Sequence, residues 1–273
     1  MSEAKPPFEL LFLGTGTSTG VPMIGCDCPV CTSPDSRNRR LRSSLYLRLG
    51  GIAILLDTAT DLREQAIAHR IRQVDAVLFT HAHADHVFGL DDMRRFNTLQ
   101  ENQAIPAYAV PEAASEIRRV FAYLFHLRQK GLYRAQIDLR EVNAPFRVAA
   151  LGRTPGPDAP LVTPVDVDHG DGRTIGYRLD FGGRSLGYAP DCVTLPAAAA
   201  AAFRGVDVMV IDALRYRPHQ THMHVEASLE AIGRIKPARA FLTHICHDID
   251  YATLAAALPE HVQPAYDGLR LWL

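Results

Sequence analysis

Short apolar runs separated by polar turns set the rhythm of the first half of the chain: Leu10–Leu13, Leu45–Leu49, Ile52–Leu56 and Ala76–Phe79. These are strand-length, and Gly50-Gly51 between the second and third is a two-residue hairpin signal. Apolar positions at Leu62, Ala66, Ile67 and Ile71 have helical spacing and predict a helix over Asp61–Arg72. Glu112–Leu127 predicts a longer one. In the second half, Phe146–Leu151, Leu161–Val167, Thr174–Phe181, Ser185–Tyr188, Val208–Ile211, Ala238–Thr243 and Leu269–Leu273 read as strands, with a helix over Val225–Ile235. Gly152–Pro160 is a Gly/Pro loop with strands on both sides, not a domain linker. Strands in series with intervening helices predict an α/β layer protein of two sheets with helices outside.

A chain of 273 residues allows one large domain or two small ones. It can bury about three quarters of its unfolded surface, so it needs no disulfides to make a core. No apolar run, the alanine-rich Leu195–Phe203 included, approaches the ~20 residues of a membrane span. Met1–Leu13 carries acid and two prolines before its apolar stretch, which fits no secretory signal. The expectation is a soluble cytoplasmic protein with no membrane partner. Net charge is −1, which excludes broad electrostatic binding to extended nucleic acid. The basic cluster Arg37, Arg39, Arg40 and Arg42 reads as a solvated loop. Five cysteines, an odd number, argue against a disulfide framework. Three of them, Cys26, Cys28 and Cys31, stand close enough together to suggest a metal instead.

The strongest chemical signal is Thr80-His81-Ala82-His83-Ala84-Asp85-His86, just past the run Ala76–Phe79. Residues two apart in an extended segment project to one side, so His81 and His83 can clasp one ion. Asp85 and His86 can reach a second. Imidazole and carboxylate together suit zinc, manganese or iron. Four side chains cannot complete two coordination spheres, and further candidates stand just past later strands: His169, Asp191 and His244. The three thiols of Cys26-x-Cys28-x-x-Cys31 make most of a closed zinc site and leave one position to fill. His69, His126, His219 and His261 read as surface or core residues, and Cys192 as a small buried hydrophobe.

The order His-x-His-x-Asp-His, then His, Asp and His resembles the metallo-β-lactamase-fold hydrolases over nearly the whole chain. Leu11–Ser18 resembles that family's opening strand and glycine turn, and Asp57 its structural aspartate. Pro190 departs from the small residue usual before the bridging aspartate. The resemblance implies a four-layer αββα sandwich of two mixed sheets, forming a single domain over residues 1–273. It also implies that His81, His83 and His169 hold one metal, Asp85, His86 and His244 the other, and that Asp191 bridges them. A cysteine insert at about residues 22–42, together with Gly89–Arg94, is similar to the PhnP-like phosphodiesterase branch. There the fourth zinc ligand would be His247, with the adjacent Cys246 as the alternative. A similar cysteine motif occurs in coenzyme PQQ biosynthesis protein B, so the motif alone leaves the substrate open.

In phosphodiesterase members a histidine at the place of His222 assists departure of the leaving oxygen, and His224 is its rival here. The implied activity is hydrolysis of a small cyclic or nucleotide-like phosphodiester, of the 5-phosphoribosyl 1,2-cyclic phosphate type. It would use two catalytic divalent metals (zinc, manganese or iron) and one structural zinc. Asp85 and His222 are the catalytic candidates, His222 as an imidazolium with a pKa near neutrality. Arg94 or the Arg39–Arg42 cluster could hold a terminal phosphate. The alternatives are a metallo-hydrolase of carbon esters or thioesters, and a PqqB-like cofactor-biosynthesis protein. The expected partner is the small phosphodiester itself, and the oligomeric state is left open, a homodimer included.

Overall fold

Each apolar run that predicts a strand becomes one, because both faces of the central sheets are covered and alternation is not required of a doubly buried strand. The computed structural model describes residues 8–125, 133–170 and 172–273. In the first half, β1 (Phe8–Gly14), β2 (Ser44–Leu49), β3 (Ile52–Leu56), α1 (Leu62–Ala68), β4 (Ala76–Leu78), α2 (Ala84–Val87), α3 (Met93–Leu99), β5 (Ile105–Ala109), α4 (Pro111–Val120), α5 (Ala122–Phe125) and β6 (Ile137–Glu141) follow in order. In the second half come β7 (Phe146–Arg147), β8 (Leu161–Val167), β9 (Thr174–Phe181), β10 (Arg184–Ala189), α6 (Ala197–Ala202) and β11 (Val208–Asp212). They are followed by α7 (Val225–Ile235), β12 (Arg239–Thr243), α8 (Tyr251–Ala257), β13 (Val262–Pro264) and β14 (Arg270–Trp272).

Two mixed sheets result, in the orders β14-β1-β2-β3-β4-β5-β6 and β13-β12-β11-β10-β9-β8-β7. They pack face to face. Phe12 of β1 meets Phe241 of β12 with ring centroids 5.6 Å apart. The Tyr177 hydroxyl of β9 donates to the Phe79 carbonyl at the end of β4, 2.8 Å away. In β11, Val208 and Val210 enter this inter-sheet core, whereas Met209 and Ile211 face the helices outside, with Phe203, Ile232 and Leu254. On the other flank Leu62, Met93, Phe96 and Ile117 from α1, α3 and α4 cover the first sheet. The molecule is therefore the expected helix–sheet–sheet–helix sandwich.

Strand direction places the chemistry. β3 through β6 pair in parallel, as do β10 through β13. β8 runs the same way as β10, because each is antiparallel to the β9 between them. The C-terminal ends of β8, β10, β11 and β12 therefore open on one edge, the usual place for ligands on sheets of this kind.

Several boundaries differ from the sequence expectation. The Gly50-Gly51 hairpin forms with Leu49 opposite Ile52 and both glycines at positive φ, 57° and 90°. The helix expected over Asp61–Arg72 stops at Ala68, and Arg70 turns left-handed at φ 54°. The helix expected over Glu112–Leu127 breaks at Phe121 into α4 and α5. Leu127, like His126, lies outside the described residues. The strand expected over Phe146–Leu151 pairs with β8 only at Phe146 and Arg147. Among the described residues, no helix is long and apolar enough to cross a membrane.

The basic cluster is not a solvated loop throughout. Arg40 is 1% exposed and donates to the Cys246 and Ile249 carbonyls (3.1 and 2.9 Å) and to Asn38 Oδ1 (3.0 Å). Two carbonyl acceptors from a distant loop and one from the neighbouring Asn38 take in the hydrogen bonds that let the guanidinium be buried. Arg37 and Arg42 pair with Asp35 and Asp61.

Candidate metal centre

Ligand-type side chains from four segments converge at the strand ends. His81 and His83 follow β4, Asp85 and His86 sit on the single turn of α2, and His169, Asp191 and His244 follow β8, β10 and β12. One group joins His81, His83, His169 and Asp191, and another joins Asp85, His86, Asp191 and His244. Within each group the ligand atoms lie within 4.8 Å of one another. Asp191 belongs to both.

Hydrogen bonds on the far side of each ring decide which nitrogen faces inward. His86 Nδ1–H donates to Asp57 (2.8 Å), His81 Nδ1–H to the Thr80 hydroxyl (3.0 Å) and His169 Nδ1–H to the Thr221 carbonyl (2.8 Å). Each Nε2 is left as a bare lone pair. Asp57, at a left-handed φ of 60°, also accepts from Thr80 N–H at 2.8 Å, so one buried carboxylate orients the whole histidine loop. Such outer partners fix tautomer and ring direction in metal sites.

The bare lone pairs then face one another. His81 Nε2 lies 2.9 Å and His169 Nε2 3.4 Å from His83 Nδ1. His86 Nε2 lies 3.4 and 3.3 Å from carboxylate oxygens of Asp85 and Asp191. His86 Nε2, Asp191 Oδ1 and both His244 ring nitrogens are buried without a hydrogen-bond partner. Acceptor against acceptor in a buried site is repulsive unless a cation lies between. The residues fit divalent metal ions. The charge balance agrees: burial alone would lower the His244 pKa, yet Asp191, Asp85 and Asp212 around it push it up to about 9. The carboxylates call for positive charge.

Cys26, Cys28, Cys31 and His247 form a separate cluster. His247 Nδ1 lies 3.3 and 3.4 Å from the Cys26 and Cys28 sulfurs. Cys246 is not part of it, its sulfur accepting from Asp248 N–H. The Cys31 backbone N–H and then His247 lower the Cys28 thiol to about 6. Burial raises Cys31 to about 11.

His222 stands at the mouth of the main centre, stacked on His244 with centroids 4.7 Å apart. His224 instead caps α7. His222 Nδ1 is 2.8 Å from Asp212 Oδ2. Asp212 is fully buried at the end of β11. Sequence reasoning missed it, although it stands just past an apolar strand, as His169, Asp191 and His244 do. Burial pushes the Asp212 carboxyl well up and holds His222 down, to about 4. Both directions favour one proton shared along the Asp212–His222 hydrogen bond over the imidazolium expected from sequence. His219, expected to be a surface or core residue, lies with its ring centroid 5.3 Å from that of His222.

The cavity over the centre measures about 330 Å³ and is lined by Ser18, Thr221, His222 and the ligands themselves. Ser18 was legible only as part of the glycine turn. That turn lies close against the Arg42 backbone, where a Cβ on Gly14 would come within 2.0 Å of the Arg42 carbonyl. Arg94 does not line the cavity. Arg42 reaches its edge only by donating to the Ser18 carbonyl (3.2 Å) while paired to Asp61.

Known proteins can be set against this geometry. The family described as "Beta-lactamase superfamily domain" matches residues 53–245. An octanoyltransferase of Porphyromonas gingivalis is 34% identical over 266 residues, 95% of this chain and 50% of that one. The chain thus spans about half the length of that relative. Coenzyme PQQ synthesis protein B of Methylobacterium sp. (strain 4-46) is 30% identical over 230 residues, 76% of this chain and 73% of that one. The crystal structure of a new diphosphatase from the PhnP family superposes with a TM-score of 0.86 at 35% identity, covering 97% of this chain and 98% of that one. Zn(2+)-bound PqqB from Methylobacterium extorquens shares the fold, with a TM-score of 0.74 at 23% identity over 97% and 100% of the two chains.

Proposed function

The chain belongs to the metallo-β-lactamase superfamily and is a metal-dependent hydrolase, and we propose that its substrate is a small phosphodiester, cyclic or nucleotide-like, of the 5-phosphoribosyl 1,2-cyclic phosphate type. The observation that carries this is the pairing of a compact polar cavity with the Asp212–His222 couple at its mouth. An acyl chain would need an apolar wall, and among the described residues no apolar side chain lines the cavity. The singly charged phosphodiester matches a cavity lined by the imidazoles of His83, His169, His222 and His244 and the side chains of Ser18 and Thr221, with bound metal ions offsetting Asp85 and Asp191. Similarity to a PhnP-family diphosphatase agrees with phosphorus chemistry.

His81, His83, His169 and Asp191 would hold one ion, and Asp85, His86, Asp191 and His244 the other. When bound, such a pair activates water and neutralises phosphoryl oxygens. The chain's own residues supply the rest. Asp57, Thr80 and the Thr221 carbonyl keep the ligand rings aimed. His222 would donate its Nε2 proton to the departing alkoxide while the shared proton moves from Asp212 to Nδ1, leaving the negative charge on the Asp212 carboxylate until a proton from solvent restores the couple. Cys26, Cys28, Cys31 and His247 would bind zinc, which thiolates select.

A diphosphate is the second reading, favoured by the PhnP-family neighbour. Its leaving group is a phosphate, which departs without a strong acid and gives the couple little to do. Metal-loaded protein should be assayed on a ribosyl cyclic phosphodiester, an inorganic or nucleoside diphosphate and an acyl thioester. The phosphodiester should be cleaved with the highest kcat/KM. Preference for the diphosphate would select the second reading, and preference for the thioester would defeat both.

A further inference from the structure

Away from the metal centre, a groove of about 660 Å³ runs over the outer helices between α1 and α3. It shares no lining residue with the metal cavity. Its floor is apolar, made by Leu62, Ala66, Ile71 and Phe96. Three large apolar side chains stand on its rim in solvent: Ile67 is 62% exposed, Leu99 42% and Tyr133 62%.

Five guanidinium groups flank that floor. Arg63, Arg70 and Arg72 come from the α1 side and Arg94 and Arg95 from α3, and among the described residues Asp92 is the one carboxylate lining the groove. Arg94 pairs with Asp91 at 2.9 Å and lies over the Tyr133 ring, 5.4 Å from its centroid. Among the described residues, none of Arg63, Arg70, Arg72 and Arg95 has a carboxylate within ion-pair distance. The neighbouring segment in sequence, residues 126–132, carries Arg128 and Lys130 and no acid, so it cannot balance them. A chain of net charge −1 has gathered around an apolar strip positive charge that no carboxylate among the described residues pairs.

We propose that this groove docks an acidic amphipathic segment of a protein partner, with aliphatic anchors on the floor and carboxylates on the arginines. Charge complementarity favours that occupant, and arginine rather than lysine suits it, because the planar fork pairs with a carboxylate through two hydrogen bonds. Arginine and aromatic residues around an apolar centre are the composition of protein interfaces, and an apolar helix face in a groove is a recurrent recognition mode. A simple polyanion would leave the floor wet. A flat anionic bilayer would meet the arginines on the rim without reaching Phe96 between them.

The test is fluorescence anisotropy with a short synthetic peptide carrying leucines at helical spacing and glutamates between them. Saturable binding that weakens with salt is expected. It should weaken by about tenfold or more in Arg70→Glu/Arg95→Glu, where like charges now meet, and also in Ile67→Asp. Thermal unfolding of each variant checks its fold, and Arg95→Ala is the milder substitution should the double variant not fold. No binding, or equal binding by the variants, would overturn the proposal. So would equal binding of peptides with lysine for glutamate or serine for leucine. Retention on phosphatidylglycerol vesicles in preference to the peptide would assign the groove to a membrane surface instead and overturn it too.

Discussion

Replacing Cys28 by serine tests what the cysteine cluster holds together. From Pro22 to Arg39 only Cys31 and Asn38 are buried, and Ile24 is almost wholly in solvent. The segment has no hydrophobic core of its own. Ordering a backbone costs roughly 1–2 kcal/mol per residue. The hydrogen bonds available, such as Cys26 N–H to the Met23 carbonyl and Thr32 N–H to the Cys28 carbonyl, return about 1 kcal/mol each. Zinc in thiolate–histidine sites supplies about 10–16 kcal/mol to small metal-folded peptides, which is the right order to close the gap.

Serine removes the thiol poised to be a thiolate at neutral pH. The expected result is loss of one zinc and local melting of residues 22–39. The sheets should persist, because Arg40 remains tied to Val21, Cys246 and Ile249. His244 should stay placed through Ile245 N–H to the Thr15 carbonyl (2.9 Å) and Ala213 N–H to the Thr243 carbonyl (3.0 Å), so kcat should change little. Hydrogen exchange read by mass spectrometry, with zinc analysis of the same samples, measures both effects. Unchanged protection across residues 22–39 after zinc is lost would refute the reasoning, as would loss of turnover at unchanged thermal stability.

Asp57→Asn keeps the left-handed backbone, which asparagine tolerates, but removes the carboxylate that orients His86. Metal affinity should fall by about 10–100-fold, as read by titrating metal-free protein with zinc or manganese, and unchanged affinity would dismiss the role. Asp212→Asn can no longer pass a proton to His222, so kcat on an alkyl phosphodiester should drop by about 10²–10⁴. A variant as fast as the parent would remove Asp212 from the mechanism. Asp267 is half-buried, and the loss of solvent around its carboxyl raises its pKa to about 7, outweighing the bonds from Leu41 N–H and Thr15. A raised folded pKa means stability present below about pH 4 and lost as pH rises through 7, at most roughly 4 kcal/mol. Urea unfolding of metal-free protein at pH 5 and 8 should therefore show a steeper loss than in Asp267→Asn, and equal slopes would contradict the assignment.

The elements legible in the sequence were those whose burial is written locally. Leu161–Val167, Thr174–Phe181 and Val225–Ile235 are observed with the boundaries that their apolar runs predict. β5 escaped because Pro106 interrupts it, and β6 because it is a short edge strand with Asp138, Arg140 and Glu141 facing outward. The seven clustered candidate residues could be picked out because histidine and aspartate recur just past strands, and the same rule extended one strand further reaches Asp212. Burial of Arg40 left no local mark at all. Its carbonyl acceptors lie 206 and 209 residues away, and a charged loop looks the same in sequence whether or not another loop folds over it.

The central claim is that His222 delivers a proton to a leaving alkoxide on phosphorus. The direct measurement is kcat of His222→Ala, with metal content verified, on a ribosyl cyclic phosphodiester and on an aryl phosphodiester. A nitrophenolate departs without a proton, whereas a sugar alkoxide needs one, so the loss on the ribosyl substrate should be about 10²–10⁴ and on the aryl substrate far smaller. Equal losses on the two would make His222 a phosphate-binding residue, and an undiminished rate on the ribosyl substrate would contradict the account outright.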